Sequence, residues 1–158
     1  MPSTTSLVKQ LRRDFPDFTF SPGDRFYWSP KEHTVYYDKT GDAVLLLHEV
    51  AHAMLSHANY RYDIELIKME REAWDFTAAT LAKKYVVEIA DEKIEDMLDT
   101  YRNWLHDRSL CPNCGANGIQ IAPSRYSCLA CSSVWQVNEA RSCALRRHTV
   151  KTAANNKK

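Results

Sequence analysis

Two histidines four residues apart, with a glutamate directly after the first, form the motif His48-Glu49-Val50-Ala51-His52. On an α-helix, positions i and i+4 lie on one face about one turn apart, so both imidazoles can bind the same metal ion. Glu49 lies slightly off that line, where its carboxylate can hold a water in the fourth coordination position and accept its proton. This is the H-E-x-x-H arrangement of zinc hydrolases.

The motif lies in a strongly apolar segment, Ala43 to Leu55, which follows the helix-start residues Thr40-Gly41-Asp42. A helix is therefore predicted from about Asp42 to residue 56 or 57. The alternative is two histidines packed on a core helix without a metal. We favour the metal site because a buried His-Glu-His triplet without a metal is costly to desolvate.

The third metal ligand must come from outside the motif. A second helix is predicted over residues 63–86, and Glu70 is the acid that lies within its apolar stripe. A carboxylate in an apolar stripe needs a partner, and a metal ion held by the preceding helix would be one. We therefore predict a set of His48, His52 and Glu70, which with one water is a catalytic zinc arrangement. Other acids or histidines close in the chain remain as alternatives: Glu65, Glu72 and His57.

Four of the five cysteines form two C-x-x-C pairs thirteen residues apart: Cys111 with Cys114, and Cys128 with Cys131. This spacing predicts a tetrahedral structural zinc site with four cysteine ligands in a zinc ribbon, so two zinc ions are expected per chain. The short ribbon strands are predicted over residues 118–122, 125–127 and 134–137. Because so short a segment cannot build a stable core, the metal would supply much of its folding energy. A redox dithiol is disfavoured, since two pairs occur without a thioredoxin-like βαβ context.

Other elements should position these residues. They are predicted as a helix over residues 5–14, a strand over 18–20, a β-hairpin with arms over 25–29 and 33–37, and a third helix over 91–106. The third helix completes the core or, alternatively, forms a dimer seam. The predicted fold class is α+β, with a small antiparallel sheet packed on the H-E-x-x-H helix and two further helices, followed by the zinc ribbon. An edge strand, His33 to Tyr37, could align an extended peptide by β-augmentation.

The chain has 158 residues, of which 44% are hydrophobic and 26% charged, as in a soluble globular protein. No apolar run approaches the roughly 20 residues of a membrane span, and the N-terminus lacks a basic region followed by an apolar core. Paired cysteines used for metal rather than disulfides also suit an intracellular protein. We expect a cytoplasmic protein without a membrane partner, as a monomer or weak dimer.

Charge is divided unevenly along the chain. Residues 1–106 carry 13 Lys and Arg against 18 Asp and Glu, whereas residues 107–158 carry 8 against 2. The predicted organisation is a metal-site domain over 1–106, a zinc ribbon over 107–140 and a basic tail over 141–158, in which 149–158 are expected to be disordered. With the ribbon, the tail could contact the phosphates of a nucleic acid, or it could only aid solubility.

The segments His48 to His57 (HEVAHAMLSH) and Glu70 to Ala78 (EREAWDFTA) resemble ImmA/IrrE-type metallopeptidases of the minimal gluzincins. In that family an H-E-x-x-H helix is followed by a second helix that carries E-x-E-A-x-x-F-A. The resemblance covers roughly residues 25–86. It implies zinc-dependent endopeptidase activity, often directed at a regulatory protein, with Glu70 at the position of the family's glutamate ligand. Two positions depart from the pattern: Thr77 replaces a small Ala, and Trp74 stands where many gluzincins have an Asp or Asn that supports a zinc histidine.

The joining of H-E-x-x-H to a C-terminal zinc ribbon is similar to SprT-like metallopeptidases, which act on proteins bound to DNA. Their later G-x-x-x-x-H ligand segment is absent here. We therefore expect a zinc metalloendopeptidase that hydrolyses peptide bonds of an intracellular protein, with Glu49 as general base. A donor for the oxyanion is expected among Tyr60, Tyr62 and His57. The alternatives are a SprT-like protease acting on DNA-bound proteins and a non-enzymatic zinc-containing regulator or DNA-binding module.

Overall fold

The computed structural model describes residues 2–151 and has the predicted α+β class. The chain forms two compact units: Met1–Asn59 with Lys68–Asp96, and Tyr60–Ile67 with Met97–Lys158. Each unit contains its own small sheet. This division differs from a single boundary at residue 106, because two helices each contribute residues to both units. No helix among residues 2–151 is both long and apolar enough to cross a membrane.

The helices agree closely with the predicted segments. They are α1 (Thr4–Asp14), α2 (Ala43–Met54), α3 (Asp63–Phe76), α4 (Ala82–Tyr85) and α5 (Asp91–Ser109), with a π-helical segment over Thr77–Leu81 that joins α3 to α4. Asp42 caps α2 by accepting a hydrogen bond from the Val44 N–H at 2.8 Å. Most of α2 is buried, so the apolar segment that carries the motif is a core helix of the first unit.

The sheet of the first unit consists of β1 (Thr19–Pro22), β2 (Tyr27–Ser29) and β3 (Thr34–Tyr37), in the order β1-β3-β2. β2 and β3 form the predicted antiparallel hairpin. The prediction of an all-antiparallel sheet is wrong, since β1 pairs with β3 in parallel. β3 is the most buried of the three strands and takes the central position. It is therefore no free edge, as His33 to Tyr37 was predicted to be, and β2 is an edge strand instead.

The sheet of the second unit contains β4 (Ile119–Ala122), β5 (Arg125–Ser127), β6 (Val134–Val137) and β7 (Arg147–Val150), in that order and antiparallel throughout. The first three strands match the predicted ribbon. β7 corrects the prediction of disorder for residues 149 and 150, because both pair with β6. Residues 152–158 of that predicted disordered end lie outside the described residues.

A buried ion pair organises the second unit. Asp63 and Arg108 are 2% and 3% exposed, and Arg108 Nε donates to Asp63 Oδ2 at 2.7 Å. The Tyr126 hydroxyl donates to the same Asp63 oxygen at 2.5 Å. Burial and this hydrogen bond raise the pKa of Tyr126, so the phenol stays protonated and keeps donating. The start of α3 and the end of α5 are thereby tied to β5.

Candidate metal centres

The structure brings His48 and His52 of α2 together with Glu70 of α3. Their donor atoms all lie within 4.8 Å of one another. His48 Nε2 is 2.9 Å from Glu70 Oε2, His52 Nε2 is 3.4 Å from Glu70 Oε1, and the two Nε2 atoms are 3.1 Å apart. The exposed fractions of the three residues are 5%, 8% and 4%. The i, i+4 spacing on α2 aims both imidazoles at one carboxylate.

These three side chains fit a metal ion. Nitrogen and oxygen ligands about 2.0–2.1 Å from a tetrahedral zinc ion lie roughly 3.4 Å from one another, close to the three observed separations. Burial opposes ionisation of Glu70, but hydrogen bonds from His48 and His52 outweigh it and lower its pKa. The carboxylate is therefore ionised, as a metal ligand must be. The group can hold one metal ion.

The alternative ligands Glu65, Glu72 and His57 do not belong to this group. His57 Nδ1 lies 2.8 Å from His52 Nδ1, and His57 Nε2 lies 3.2 Å from Glu72 Oε2. His57 and Glu72 therefore extend outward from His52 as a hydrogen-bonded line, the His52–His57–Glu72 line.

Sequence reasoning missed this line because it assumed that α2 continues, which would turn His57 about 140° away from His52. Instead α2 ends at Met54, and Ser56 has a positive φ of 56°. The backbone turns back there, and the His57 N–H donates to the His52 carbonyl at 3.0 Å. The helix end, two or three residues earlier than predicted, and the left-handed backbone of Ser56 were missed from the sequence.

His48 is supported differently from His52. Its ring stacks on the Trp74 indole, with ring centroids 4.0 Å apart and an interplanar angle of 19°. Within residues 2–151, the buried His48 Nδ1 and Trp74 Nε1 have no hydrogen-bond partner. Trp74 thus contacts His48 through its ring and gives it no hydrogen-bond partner. Both histidines contact Glu70 through Nε2, but Nδ1 of His52 has a hydrogen-bond partner, whereas Nδ1 of His48 has none among residues 2–151.

Glu49, the predicted general base, is half-buried and held by the edge strand of the sheet. Its Oε2 accepts a hydrogen bond from the Trp28 backbone N–H at 2.8 Å. The Trp28 indole N–H donates to the His57 carbonyl at 3.0 Å. Trp28 therefore links the base to the turn after α2. Of the predicted oxyanion donors, His57 lies within hydrogen-bond distance of His52 and Glu72 through its ring nitrogens. Tyr60 and Tyr62 belong to the second compact unit.

The second candidate centre consists of the four paired cysteines. The Sγ atoms of Cys111 and Cys131 are 3.6 Å apart and those of Cys114 and Cys128 are 3.5 Å apart, with all four within 4.8 Å. Four thiolates about 2.3 Å from a tetrahedral zinc ion lie roughly 3.8 Å from one another, so this group also fits a metal. The hydrogen bond from the Asn113 side chain and the contact with the Ser133 hydroxyl lower the pKa of the Cys131 thiol, which favours the ligating thiolate.

Both cysteine pairs lie on turns of the same design. Gly115, four residues after Cys111, has a φ of +75°, and its N–H donates to the Cys111 carbonyl at 2.9 Å. Ser132, four residues after Cys128, has a φ of +64° and makes the equivalent bond at 3.0 Å. Each turn directs two thiols to one point. Gly115 of the first turn therefore has Ser132 as its counterpart in the second.

Comparisons of the chain with protein-family models, with curated proteins and with solved structures find no match. The resemblance to ImmA/IrrE-type metallopeptidases therefore rests on the motifs alone.

Proposed function

We propose that the chain is a zinc-dependent endopeptidase that cleaves peptide bonds of an intracellular protein. The observation that carries the proposal is the buried convergence of His48, His52 and Glu70, with Glu49 next to the first ligand on the same helix. Two imidazoles and one carboxylate are a ligand set of catalytic zinc sites, which keep one position open. The motif resemblance to minimal gluzincins points the same way.

A zinc ion held by these three residues supplies Lewis acidity, which acidifies water and polarises a carbonyl group. Glu49 accepts the proton of the attacking water and transfers it to the leaving amine. The hydrogen bond from the Trp28 N–H holds Oε2 of Glu49, so Oε1 is the oxygen that carries the proton.

An extended peptide would be aligned by β2. This strand is an edge of its sheet, and an edge strand can add a further strand through main-chain hydrogen bonds. The Trp28 N–H points to Glu49 rather than to β3. The outward N–H of Trp28 is therefore taken by the proposed general base, so a peptide on this edge would pair with the outward Trp28 carbonyl and lie beside Glu49.

Cleavage of an unfolded protein substrate tests the proposal, with zinc content measured on the same samples. Glu49→Gln keeps the Trp28 hydrogen bond through its amide oxygen and removes the base. We expect it to retain zinc and to lose about 10²–10⁴-fold in cleavage rate, and we expect His48→Ala to lose both. A zinc-loaded wild-type chain that leaves substrates intact, or a Glu49→Gln chain that still cleaves them, would reject the proposal.

One observation favours a non-enzymatic regulator or DNA-binding module instead. Trp74 gives His48 no hydrogen-bond acceptor, and loss of such an outer partner costs about 10–100-fold in metal affinity or activity. Strong, salt-sensitive DNA binding by a chain without cleavage activity would support this alternative.

A further inference from the structure

We infer that His57 and Glu72 are positioning residues that fix the orientation and tautomer of His52 and thereby strengthen metal binding. The inference rests on the proposed metal site and deepens it, because neither residue is a ligand. Their contacts form one continuous line: His52 Nδ1 to His57 Nδ1 at 2.8 Å, and His57 Nε2 to Glu72 Oε2 at 3.2 Å.

The line assigns a place to every proton. When His52 Nε2 is a metal ligand, its lone pair is used and Nδ1 must carry the hydrogen. His52 Nδ1–H can then donate only if His57 Nδ1 accepts. His57 in turn carries its hydrogen on Nε2, where the Glu72 carboxylate accepts it. A metal-bound histidine commonly donates to a carboxylate in this way, and here one imidazole lies between the two.

His57 is held where this role requires it. The His57 N–H donates to the His52 carbonyl, and the His57 carbonyl accepts from the Trp28 indole. The His57 side chain is only 10% exposed, whereas that of Glu72 is 47% exposed. The intermediate imidazole is thus fixed on its backbone and packed around its ring. Glu72 ends the line at the surface, where water solvates its charge and no buried partner is needed.

The contrast with His48 defines what the line contributes. Both histidines direct Nε2 at Glu70, yet only His52 has a partner for its other nitrogen among the described residues. Loss of the His52–His57–Glu72 line should leave both histidine rings beside Glu70. Only the orientation of the His52 ring should become less restricted. The expected cost is therefore in metal affinity rather than in folding.

The test is the affinity of the full-length chain for Co²⁺ at the histidine site, measured by competition with a chelator and by the visible absorption of the bound ion. Thiolate charge-transfer bands separate the four-cysteine centre from this site. We expect His57→Ala to bind Co²⁺ about 10–100-fold more weakly and to change the visible spectrum. His57→Gln, whose amide oxygen can still accept from His52, should recover part of the loss.

Glu72→Leu should weaken binding less than His57→Ala, because His57 remains to accept from His52. Asp75→Asn is the matched control, since Asp75 is an exposed acid three residues further along the chain that pairs with Arg71 instead. We expect wild-type affinity from it, and wild-type thermal unfolding of all metal-free variants.

Equal affinity in wild type and His57→Ala, or equal losses in His57→Ala and His57→Gln, would overturn the inference. The outcome is separate from that of the proposed function. Co²⁺ affinity that depends on His57, without any peptide cleavage, would reject the peptidase alone. Cleavage with an affinity indifferent to His57 would reject the positioning role alone.

Discussion

The two candidate metal centres are built on opposite plans. The histidine site is buried, and its ligands come from α2 and α3, which both carry buried apolar residues. The four-cysteine site draws its ligands from two tight turns, and two of them, Cys111 and Cys128, belong to the small core cluster with Tyr126, Trp135 and Val137. The fold of the first unit positions the histidine ligands, whereas the four-cysteine site itself contributes to the folding of the segment that carries it. The two sites should therefore answer differently to loss of metal.

The largest expected difference concerns metal removal. Chelation should disorder the turns and strands around Cys111 to Cys131, because binding of a structural zinc ion supplies about 10–16 kcal/mol of apparent free energy in small zinc modules. The first unit should keep its fold, since Glu70 still accepts hydrogen bonds from both histidines. Amide NMR spectra of the chain with and without chelator would show which resonances lose dispersion.

Cys128→Ser and His48→Ala extend the same comparison. The first variant should reproduce the spectrum of the chelated ribbon, and the second should lose one metal ion while its spectrum stays folded. Loss of dispersion in the first unit after chelation would break the contrast between the two plans.

The candidate ligands could be predicted from patterns of residues that lie close together in the sequence. The i, i+4 histidines, the C-x-x-C pairs and the single acid in an apolar stripe each place ligands within one or two elements. These residues are brought together in the structure, and helix and strand bounds near them agree to within a few residues. Glu70 required one further inference, because its position in the helical period had to be converted into an expectation that its carboxylate is buried.

The missed features depend on contacts far apart in the chain or on single backbone conformations. β1 pairs in parallel with β3, which lies further along the chain, and no window around residues 18–20 reveals this partner. The sequence of β7 is only a weak strand pattern and contains basic residues. The strand is established by its pairing with β6. The His52–His57–Glu72 line depends on one left-handed residue, Ser56, at a helix end. None of these three features produces a hydrophobic period or a motif in the sequence.

The next effect tests whether the metal alone holds the second unit. Asp63→Asn removes the charge that Arg108 and Tyr126 share and should cost about 3–5 kcal/mol, because it leaves a buried guanidinium without its counter-ion. Asp99→Asn breaks an exposed pair with Arg102 and should change stability by less than about 1 kcal/mol. Urea unfolding of the zinc-loaded variants measures both. Equal unfolding midpoints would mean that the ion pair contributes nothing beyond the metal.

Trp74 sharpens the comparison inside the histidine site. Trp74→Asn offers His48 Nδ1 an acceptor, so the affinity for zinc should rise by up to about tenfold, although loss of the buried indole should destabilise the unit by about 3 kcal/mol. Trp74→Phe keeps an aromatic ring against His48 and removes the unpartnered indole N–H. It should leave zinc affinity unchanged. Chelator competition and thermal unfolding separate the two effects, and a lower affinity in Trp74→Asn would show that packing, not hydrogen bonding, limits this ligand.

The smallest effects come from the two cysteine turns, which differ at one equivalent position. Gly115 and Ser132 both have left-handed backbones, and a Cβ at Gly115 would meet nothing within 4 Å. Gly115→Ala therefore adds only conformational strain, about 1 kcal/mol, whereas Ser132→Gly should remove a similar strain. Because the strain acts on the turn and not on the thiols, zinc affinity should fall in Gly115→Ala and rise in Ser132→Gly, each by roughly fivefold. Opposite shifts of this size would show that the backbone of each turn, and not only its cysteines, sets the strength of the four-cysteine site. Equal affinities would show that zinc binding absorbs the strain, which would make the ribbon still more dependent on its metal than the core cluster suggests.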